Sequence, residues 1–175
     1  MMMRSNETFY KDDVVAMVAK RLQGGYSMLF ILPGADVKCD EAAEYVANDF
    51  NGFLQKMEVC DVTLSLPKFS TDFGTSLKPI LEKLGIKRAF GNDAQFDKIS
   101  DEPLFISDVV QKTYINVNEK GTEAAAVTMA ITGALSMKAP KIEIITFDRP
   151  FIYAIIKENC NEILFTGKVG NPIAK

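Results

Sequence analysis

The side chains that commonly perform catalysis or bind metal ions are sparse in this sequence and do not cluster. There is no histidine, and the three cysteines, Cys39, Cys60 and Cys160, lie far apart. A nucleophile activated by histidine is therefore excluded, and neither a Cys/His metal spacing nor a glycine-rich phosphate loop is present. The carboxylate pairs Asp12–Asp13 and Asp40–Glu41 are typical of solvated turns and helix starts. We predict no catalytic residue, no metal ion and no cofactor; the thiols are expected to be free, with a single disulfide left open.

The charge and the apolar runs exclude two further classes of partner. The chain has 20 basic and 23 acidic residues, a net charge of −3, so a basic patch for nucleic acid is not expected. The uncharged stretch 124–137 is shorter than the roughly 20 residues of a membrane span and contains polar residues. No apolar run follows the opening methionines, so no signal peptide is predicted.

The most informative stretch is Glu119–Ser136, a connection between two predicted strands of a length that is usually functional or disordered. It contains no proline, so every amide could join a sheet. Every second residue from Thr122 is small, and the set is Thr122, Ala124, Ala126, Thr128, Ala130, Thr132 and Ala134. As a strand, this face would enter a sheet without overpacking the layer beneath. On these residues alone the segment could be a mobile functional loop, but two other interpretations stay open: an alanine-rich helix with Thr122 as N-cap, and an ordinary buried strand.

The elements that must position this stretch are predicted from periodicity. Apolar positions at helical spacing predict helices over 39–57, interrupted near Asn51–Gly52, and over 77–84. Gln23–Gly25 predicts a hairpin turn. Strands are predicted over 14–22, 26–32, 59–69, 104–117, 141–147, 151–156 and 162–169. Without strict alternation of strand and helix, this order predicts an α+β protein with mixed, mostly antiparallel sheets and a few short helices.

Several segments in this order resemble the serpin family. Glu119–Ala126 resembles the hinge of the serpin reactive-centre loop in its inhibitory form, and Phe147–Phe151 resembles the family signature that follows the loop. Ile163–Pro172 resembles the C-terminal strand of the family. Upstream, Leu66–Phe69 and the helix ending at Leu84–Ile86 fall in the matching order. The resemblance covers essentially the whole chain and implies a serpin-like fold with a long reactive-centre loop.

The resemblance also implies a domain organisation and a function. Residues 1–175 correspond to the C-terminal part of a single serpin domain, with the loop at about 119–140 and roughly the N-terminal half absent. A serpin inhibits a serine or cysteine protease as a suicide substrate, through loop cleavage, acyl-enzyme trapping and strand insertion. Family spacing from Glu119 places the reactive bond between Leu135 and Ser136, with Ala134, Ser136 and Met137 as alternative bait residues. A leucine bait implies a chymotrypsin-like or elastase-like target.

The remaining expectations carried over from the family concern the hinge, the sheet opening and the location. The hinge residues are Glu119, Gly121, Thr122, Glu123, Ala124, Ala125 and Ala126. Lys68 and Glu119 match a pair at the top of the main sheet, and Gln111 stands where the family often has a histidine. A secreted or cell-envelope location is implied, and loop–sheet self-association is a further expected contact. Two alternatives stay open: a non-inhibitory serpin-like binding module, and an inactive, self-associating fragment.

Overall fold

The computed structural model describes residues 2–100, 102–118 and 142–172. The helices are α1 (Cys39–Asn48), α2 (Phe50–Lys56) and α3 (Lys78–Lys83), with a short 3-10 helix over Arg88–Phe90. The strands are β1 (Met2–Lys11), β2 (Val15–Leu22), β3 (Tyr26–Pro33), β4 (Glu58–Ser65), β5 (Phe69–Ser76), β6 (Val110–Val117), β7 (Ile142–Thr146), β8 (Phe151–Lys157) and β9 (Glu162–Val169).

These residues form two compact units, each with its own sheet. The described residues up to Lys68 and from Asn118 onward make the first unit, and Phe69–Val117 make the second. The first holds a seven-stranded sheet in the order β7-β4-β1-β2-β3-β8-β9, in which β4 and β7 are parallel and the other neighbours antiparallel. The second holds β5 and β6, paired antiparallel. The predicted α+β class with mostly antiparallel sheets is confirmed.

The β2–β3 hairpin turns at two glycines. Gly24 and Gly25 both have φ of 80°, a conformation that favours glycine over residues with a Cβ. The turn predicted at Gln23–Gly25 is therefore confirmed. Beyond it, β3 is buried at every residue after Tyr26, in agreement with its unbroken apolar sequence.

Helices α1 and α2 cover one face of the larger sheet. Ala42, Val46 and Phe53 join a buried cluster whose sheet residues include Leu29 and Ala154. Burying an aliphatic or aromatic side chain of this size contributes roughly 1.5–3 kcal/mol, so this layer is a main source of stability for the first unit.

The break between the two helices falls earlier than the sequence predicts. We predicted it at Asn51–Gly52, but α1 ends at Asn48 and Asp49 is the N-cap of α2. The Asp49 side chain accepts a hydrogen bond from the Gly52 backbone N–H at 3.2 Å. Capping by an aspartate outweighs the weak helix propensity of glycine here.

The second unit has little core of its own. Phe90 is the one buried residue among its described positions. Pro79 lies in the first turn of α3, and Gly85, with φ of 98°, follows the helix end, as the sequence predicts. A two-stranded sheet with so little burial is marginally stable in isolation.

Three strand predictions need correction. β1 was not predicted, since its ladder with β4 joins residues more than fifty positions apart, such as Ser5 and Val62. The strand predicted over 59–69 ends at Ser65 as β4, and β5, which runs from Phe69 to Ser76, was not predicted. The strand predicted from Leu104 begins only at Val110, because the preceding backbone bonds outside a ladder: Ile106 N–H donates to Ala89, and Val109 accepts from Leu77.

None of the helices in the described residues is long and apolar enough to span a membrane.

Candidate functional site: the segment between β6 and β7

The reactive loop predicted from the sequence lies outside the described residues. This applies to 119–141, and so to the whole hinge and to the reactive bond. The predicted residues concerned are Glu119, Gly121, Thr122, Glu123, Ala124, Ala125, Ala126, Leu135 and Ser136, together with the alternative baits Ala134 and Met137. What the structure describes is the strand on each side of the segment and the contacts that hold those strands.

The strand that leads into this segment is β6. It pairs with β5 along its whole length, from Val110 opposite Ser76 to Val117 opposite Phe69. From Thr113 onward its residues alternate between half-buried and exposed, as expected of a strand with one covered face. The other edge of β6 pairs with no strand in the described part of the chain. β6 therefore has one edge with backbone groups that an additional strand could bind.

Two predicted site residues lie on the described side of the loop. Gln111 is exposed on β6 opposite Thr75. Lys68 is exposed directly before β5. Its expected partner, Glu119, is outside the described residues, so the Lys68–Glu119 pair stays a prediction.

The chain returns to the larger sheet as β7. Ile142 lies opposite Asp61 and Thr146 opposite Ser65, in parallel register with β4. The ladder continues one residue further, because the Phe147 N–H donates to the Ser65 carbonyl at 2.9 Å. The chain that follows the segment thus joins the larger sheet as its outer strand, paired with β4.

An ion pair lies at the point where β7 begins. The Arg4 guanidinium donates to the Asp61 carboxylate, with its shortest contact, from Nη2 to Oδ2, at 2.7 Å. This hydrogen bond lowers the pKa of Asp61 below its usual value, and the charge of Arg4 acts in the same direction. Asp61 is therefore ionised at neutral pH and holds β1 to β4 beside Ile142.

The signature Phe147–Phe151 acts as an anchor in this structure. The rings of Phe147 and Phe151 are 5.0 Å apart, and both contact Phe30 of β3, at 5.8 and 6.4 Å between centroids. Between them, Arg149 Nε donates to the Pro33 carbonyl at 3.0 Å. Edge-to-face aromatic pairs contribute about 0.5–1.5 kcal/mol each beyond burial. The sequence predicted the motif but not its role of fixing the connection between β7 and β8 to β3.

The fold and the order of these segments define a class of protein. In this α+β fold a long segment separates β6 of the smaller sheet from β7 of the larger sheet. The Phe147–Phe151 anchor follows β7. A family model described as Serpin (serine protease inhibitor) matches residues 1–172. The chain belongs to the serpin family.

Relatives and solved structures give the extent of the match. Iripin-3 of Ixodes ricinus is 39% identical over 150 residues, covering 85% of this chain and 38% of the relative. The alpha-1-antitrypsin homolog of Cyprinus carpio is 35% identical over 152 residues, covering 86% and 40%. Among solved structures, the thermophilic serpin tengpin has a TM-score of 0.73 and 31% identity, over 96% of this chain and 45% of that chain.

A fourth match is a structure with a ligand. The complex of thyroxine-binding globulin with thyroxine has a TM-score of 0.78 and 27% identity, covering 99% of this chain and 46% of that chain. In all four comparisons the chain spans less than half the length of the protein that it matches.

Proposed function

We propose that this chain carries the reactive half of an inhibitory serpin, which traps a serine or cysteine protease as a suicide substrate. In this proposal residues 1–175 are the C-terminal part of one serpin domain, and the loop at about 119–140 is the bait. The chain supplies no catalytic group; the protease provides the chemistry.

The observation that carries the proposal is the small, uncharged insertion face of the hinge. Thr122, Ala124 and Ala126 alternate with Glu123 and Ala125. A strand with these residues pointing inward fits between two existing strands without displacing buried side chains. A hinge with proline, or with bulky or charged residues on that face, would resist insertion.

The acceptor of the loop is β6. The edge of this strand that faces away from β5 carries one row of N–H and C=O groups. Inserting the loop there would form about ten ladder hydrogen bonds at roughly 1 kcal/mol net each, with apolar burial in addition. This free energy, released only after cleavage, drives the trapped protease away from its productive geometry.

The covalent step uses the ordinary chemistry of the protease. The nucleophilic oxygen or sulfur attacks the Leu135 carbonyl carbon, and the Leu135–Ser136 peptide bond breaks. The nucleophile's proton passes through the protease's general base to the Ser136 amine, which leaves. Loop insertion then precedes the attack of water on the acyl bond, so the complex persists. A leucine bait favours chymotrypsin-like or elastase-like proteases, and cleavage after Ala134, Ser136 or Met137 is the alternative.

The first test is an SDS-stable complex. The protein, expressed from its gene with any coding sequence that adjoins these residues, is incubated with chymotrypsin-like and elastase-like proteases. We expect a covalent band at the summed mass, cleavage after Leu135 by mass spectrometry, and a higher melting temperature of the cleaved protein. Cleavage without a complex and without a gain in melting temperature would show that the loop is a substrate only.

A matched pair of hinge variants tests insertion itself. Ala124→Arg places a large charge on the insertion face, whereas Ala125→Arg places the same group on the opposite face. We expect the first variant to be cleaved as fast as the parent but to lose at least about 90% of the stable complex, because insertion buries a charge. Ala125→Arg keeps the complex. Equal yields from the two variants would contradict strand insertion.

A second candidate is a binding module without inhibitory activity. The likeness to the thyroxine-binding globulin complex favours it, and calorimetric titration with thyroxine as the probe tests it. Saturable binding without any covalent complex would replace the inhibitory proposal. The remaining alternative, an inactive self-associating fragment, predicts mass that rises with concentration and no complex with any protease.

The lysine directly before β5, Lys68, and the cellular location complete the proposal. We propose that Lys68 forms an ion pair with Glu119, as the matching positions do at the top of the main sheet in the family, and a double-mutant cycle measures its coupling. We place the protein outside the cytoplasm, secreted or at the cell envelope, where cell fractionation should find it.

A further inference from the structure

The first turn of α2 contains a dipeptide whose own groups can react with each other. Asn51 and Gly52 form the one place in the sequence where asparagine precedes glycine. The Asn51 side chain is exposed, and Gly52 is half-buried. Since glycine has no Cβ to hinder its backbone nitrogen, the Asn51 amide is the side-chain amide of this chain that is most open to attack by the following residue.

The reaction is deamidation, and its only co-reactant is water. The Gly52 nitrogen loses its proton to solvent and attacks the side-chain carbonyl carbon of Asn51, Cγ. The Cγ–Nδ2 bond then breaks, Nδ2 takes up a proton, and ammonia leaves as a succinimide ring closes. Water opens this ring at either of its carbonyl groups, which gives an aspartate or an isoaspartate at position 51. One water replaces one ammonia, and no group is oxidised or reduced.

The native fold opposes this attack through Asp49. The Gly52 N–H donates to Oδ1 of Asp49 at 3.2 Å. Removing that proton would break the hydrogen bond and leave a negative nitrogen beside a carboxylate. Ring closure also requires the ψ of Asn51 to rotate away from the helical value of about −42°, which opens the first turn of α2. The Asn51 amide is therefore protected while this turn is intact.

The same contact explains why position 52 is a glycine. A Cβ at Gly52 would collide with the carboxylate of Asp49, so no other residue type fits there while the cap is formed. The N-terminus of α2 thus depends on a contact that requires the reactive dipeptide and also shields it.

The two products differ in their effect on the helix layer. Oδ1 of Asn51 accepts a hydrogen bond from Nδ2 of Asn161 at 3.1 Å, which joins α2 to the turn between β8 and β9. An aspartate carboxylate at position 51 can accept the same hydrogen bond. An isoaspartate adds one carbon to the backbone and interrupts the helix next to Phe53, which is buried against the sheet. The first product keeps α2 in place, and the second detaches it.

We propose that Asn51 is a site of spontaneous deamidation and that the Asp49 cap controls its rate. Opening of one helix end requires less free energy than unfolding of the whole unit. The rate of modification therefore follows the opening of the first turn of α2. This inference does not depend on the inhibitory function.

Peptide mapping by mass spectrometry measures the reaction in the full chain, held at mildly alkaline pH with and without urea. We expect aspartate and isoaspartate to form at position 51 about ten- to a hundredfold more slowly in the native protein than in the unfolded chain. Asn51→Gln is the control for the site, because its longer side chain would have to close a larger ring, and it should stay unmodified. Equal rates with and without urea overturn the proposal. So does a native protein that is unmodified after about ten half-lives of the unfolded chain.

Substitutions at the cap test its control of the rate. We expect Asp49→Ala to speed the native reaction at least about fivefold, and Asp49→Asn, which keeps a capping oxygen without the charge, to have a smaller effect. Asp36→Ala makes the same change at an exposed position outside α2 and should leave the rate unchanged. Gly167→Ala, where a Cβ would meet the Tyr153 ring, strains the same unit away from α2 and should change the rate less than about twofold. A rate in Asp49→Ala equal to that of the parent, or to that of Gly167→Ala, overturns control by the cap.

Discussion

Asp12 organises the turn between β1 and β2. Its carboxylate accepts hydrogen bonds from the backbone N–H groups of Val14 and Val15, at 2.8 and 2.7 Å. It also accepts from the hydroxyls of Tyr10, at 2.8 Å, and Tyr45 of α1, at 3.0 Å. The sequence indicated a solvated turn at this position. The contact with Tyr45, thirty-three residues away, shows that this carboxylate also ties the helix layer to the sheet.

The ionised form of Asp12 is favoured by these contacts. Burial alone would raise the pKa of Asp12, but the hydrogen bonds from Val15, Tyr10, Val14 and Tyr45 outweigh it and lower the pKa below the usual value of 3.8. The hydrogen bond to Asp12 in turn raises the pKa of Tyr10 to about 12. Because the pKa of Asp12 is lower in the folded state, its contribution to stability is complete above the unfolded value and is lost as the pH falls through the folded value.

We predict that Asp12→Asn lowers the free energy of unfolding by about 1–3 kcal/mol at neutral pH, the usual cost of losing charge-assisted hydrogen bonds. The difference from the parent should shrink as the pH falls from about 4, where Asp12 of the unfolded chain becomes protonated, down through the lower pKa of Asp12 in the folded state. Urea unfolding at a series of pH values measures both effects.

Asp13→Asn is the control for this substitution, because the neighbouring carboxylate is exposed. It should change stability by less than about 0.5 kcal/mol. In Asp12→Asn the Tyr10 pKa, followed by NMR, should also fall from about 12 toward its ordinary value. Equal behaviour of the two variants would show that the Asp12 contacts contribute nothing to stability.

At the scale of the elements, the β8–β9 pair depends on one glycine. Gly167 lies directly opposite Tyr153, and the Tyr153 ring occupies the space that a Cβ at Gly167 would need. Tyr153 is buried, so its ring has little freedom to move aside. The glycine therefore permits an aromatic side chain to cover the strand where β9 returns to the core at Val169.

We predict that Gly167→Ala destabilises the first unit by about 1–3 kcal/mol, the usual cost of overpacking. Gly170→Ala is the matched control, since a Cβ at Gly170 meets no atom within 4 Å, and it should be neutral within about 0.5 kcal/mol. Thermal and urea unfolding measure both. A neutral Gly167→Ala would mean that the Tyr153 ring moves without cost.

The sequence predicts best the elements whose buried residues form a simple local pattern. The pattern is either one apolar face or a continuous apolar run. β3 and β8 are continuous apolar runs, and α1 has apolar residues at helical spacing, so hydrophobic burial and chain geometry agree. β1 and β5 are different, because their residues mix polar and apolar types and their ladders are formed with distant partners. The break at Asp49 was missed because a cap is a contact of a single side chain, which periodicity does not report.

For the candidate site, physical patterns alone left the hinge ambiguous between a helix start and a strand, and the strand interpretation rests on the family resemblance and stays a prediction. The anchor after the loop is a different case. Arg149 donates to a carbonyl more than a hundred residues earlier, on Pro33, and no spacing rule predicts such a contact. The aromatic residues of the same motif are recognisable in the sequence, since Phe147 and Phe151 flank a short polar segment. Their common contact with Phe30 of β3 is not predictable from the sequence.

At the scale of the whole molecule, the two units differ in how much they bury. β3 and β8 lie in the interior of the seven-stranded sheet and are buried along most of their length, whereas β5 and β6 contain no fully buried residue in the described chain. Local opening requires little free energy where few apolar groups become exposed. We therefore expect the second unit to open at a lower free energy than the first.

We predict that hydrogen–deuterium exchange of this chain alone will separate these levels. The amides of β3 and β8 should exchange slowest, through global unfolding, and those of β5 and β6 at least about a hundredfold faster, although both sets are bonded in strand ladders. Low concentrations of urea should widen the difference, because the smaller unit opens first. If the β5–β6 amides were as slow as those of β3, the second unit would have a source of stability other than its own buried residues. Since Phe90 is the one buried residue among its described positions, that stability would have to come from outside the unit, and Phe90→Ala would then change β5–β6 exchange little.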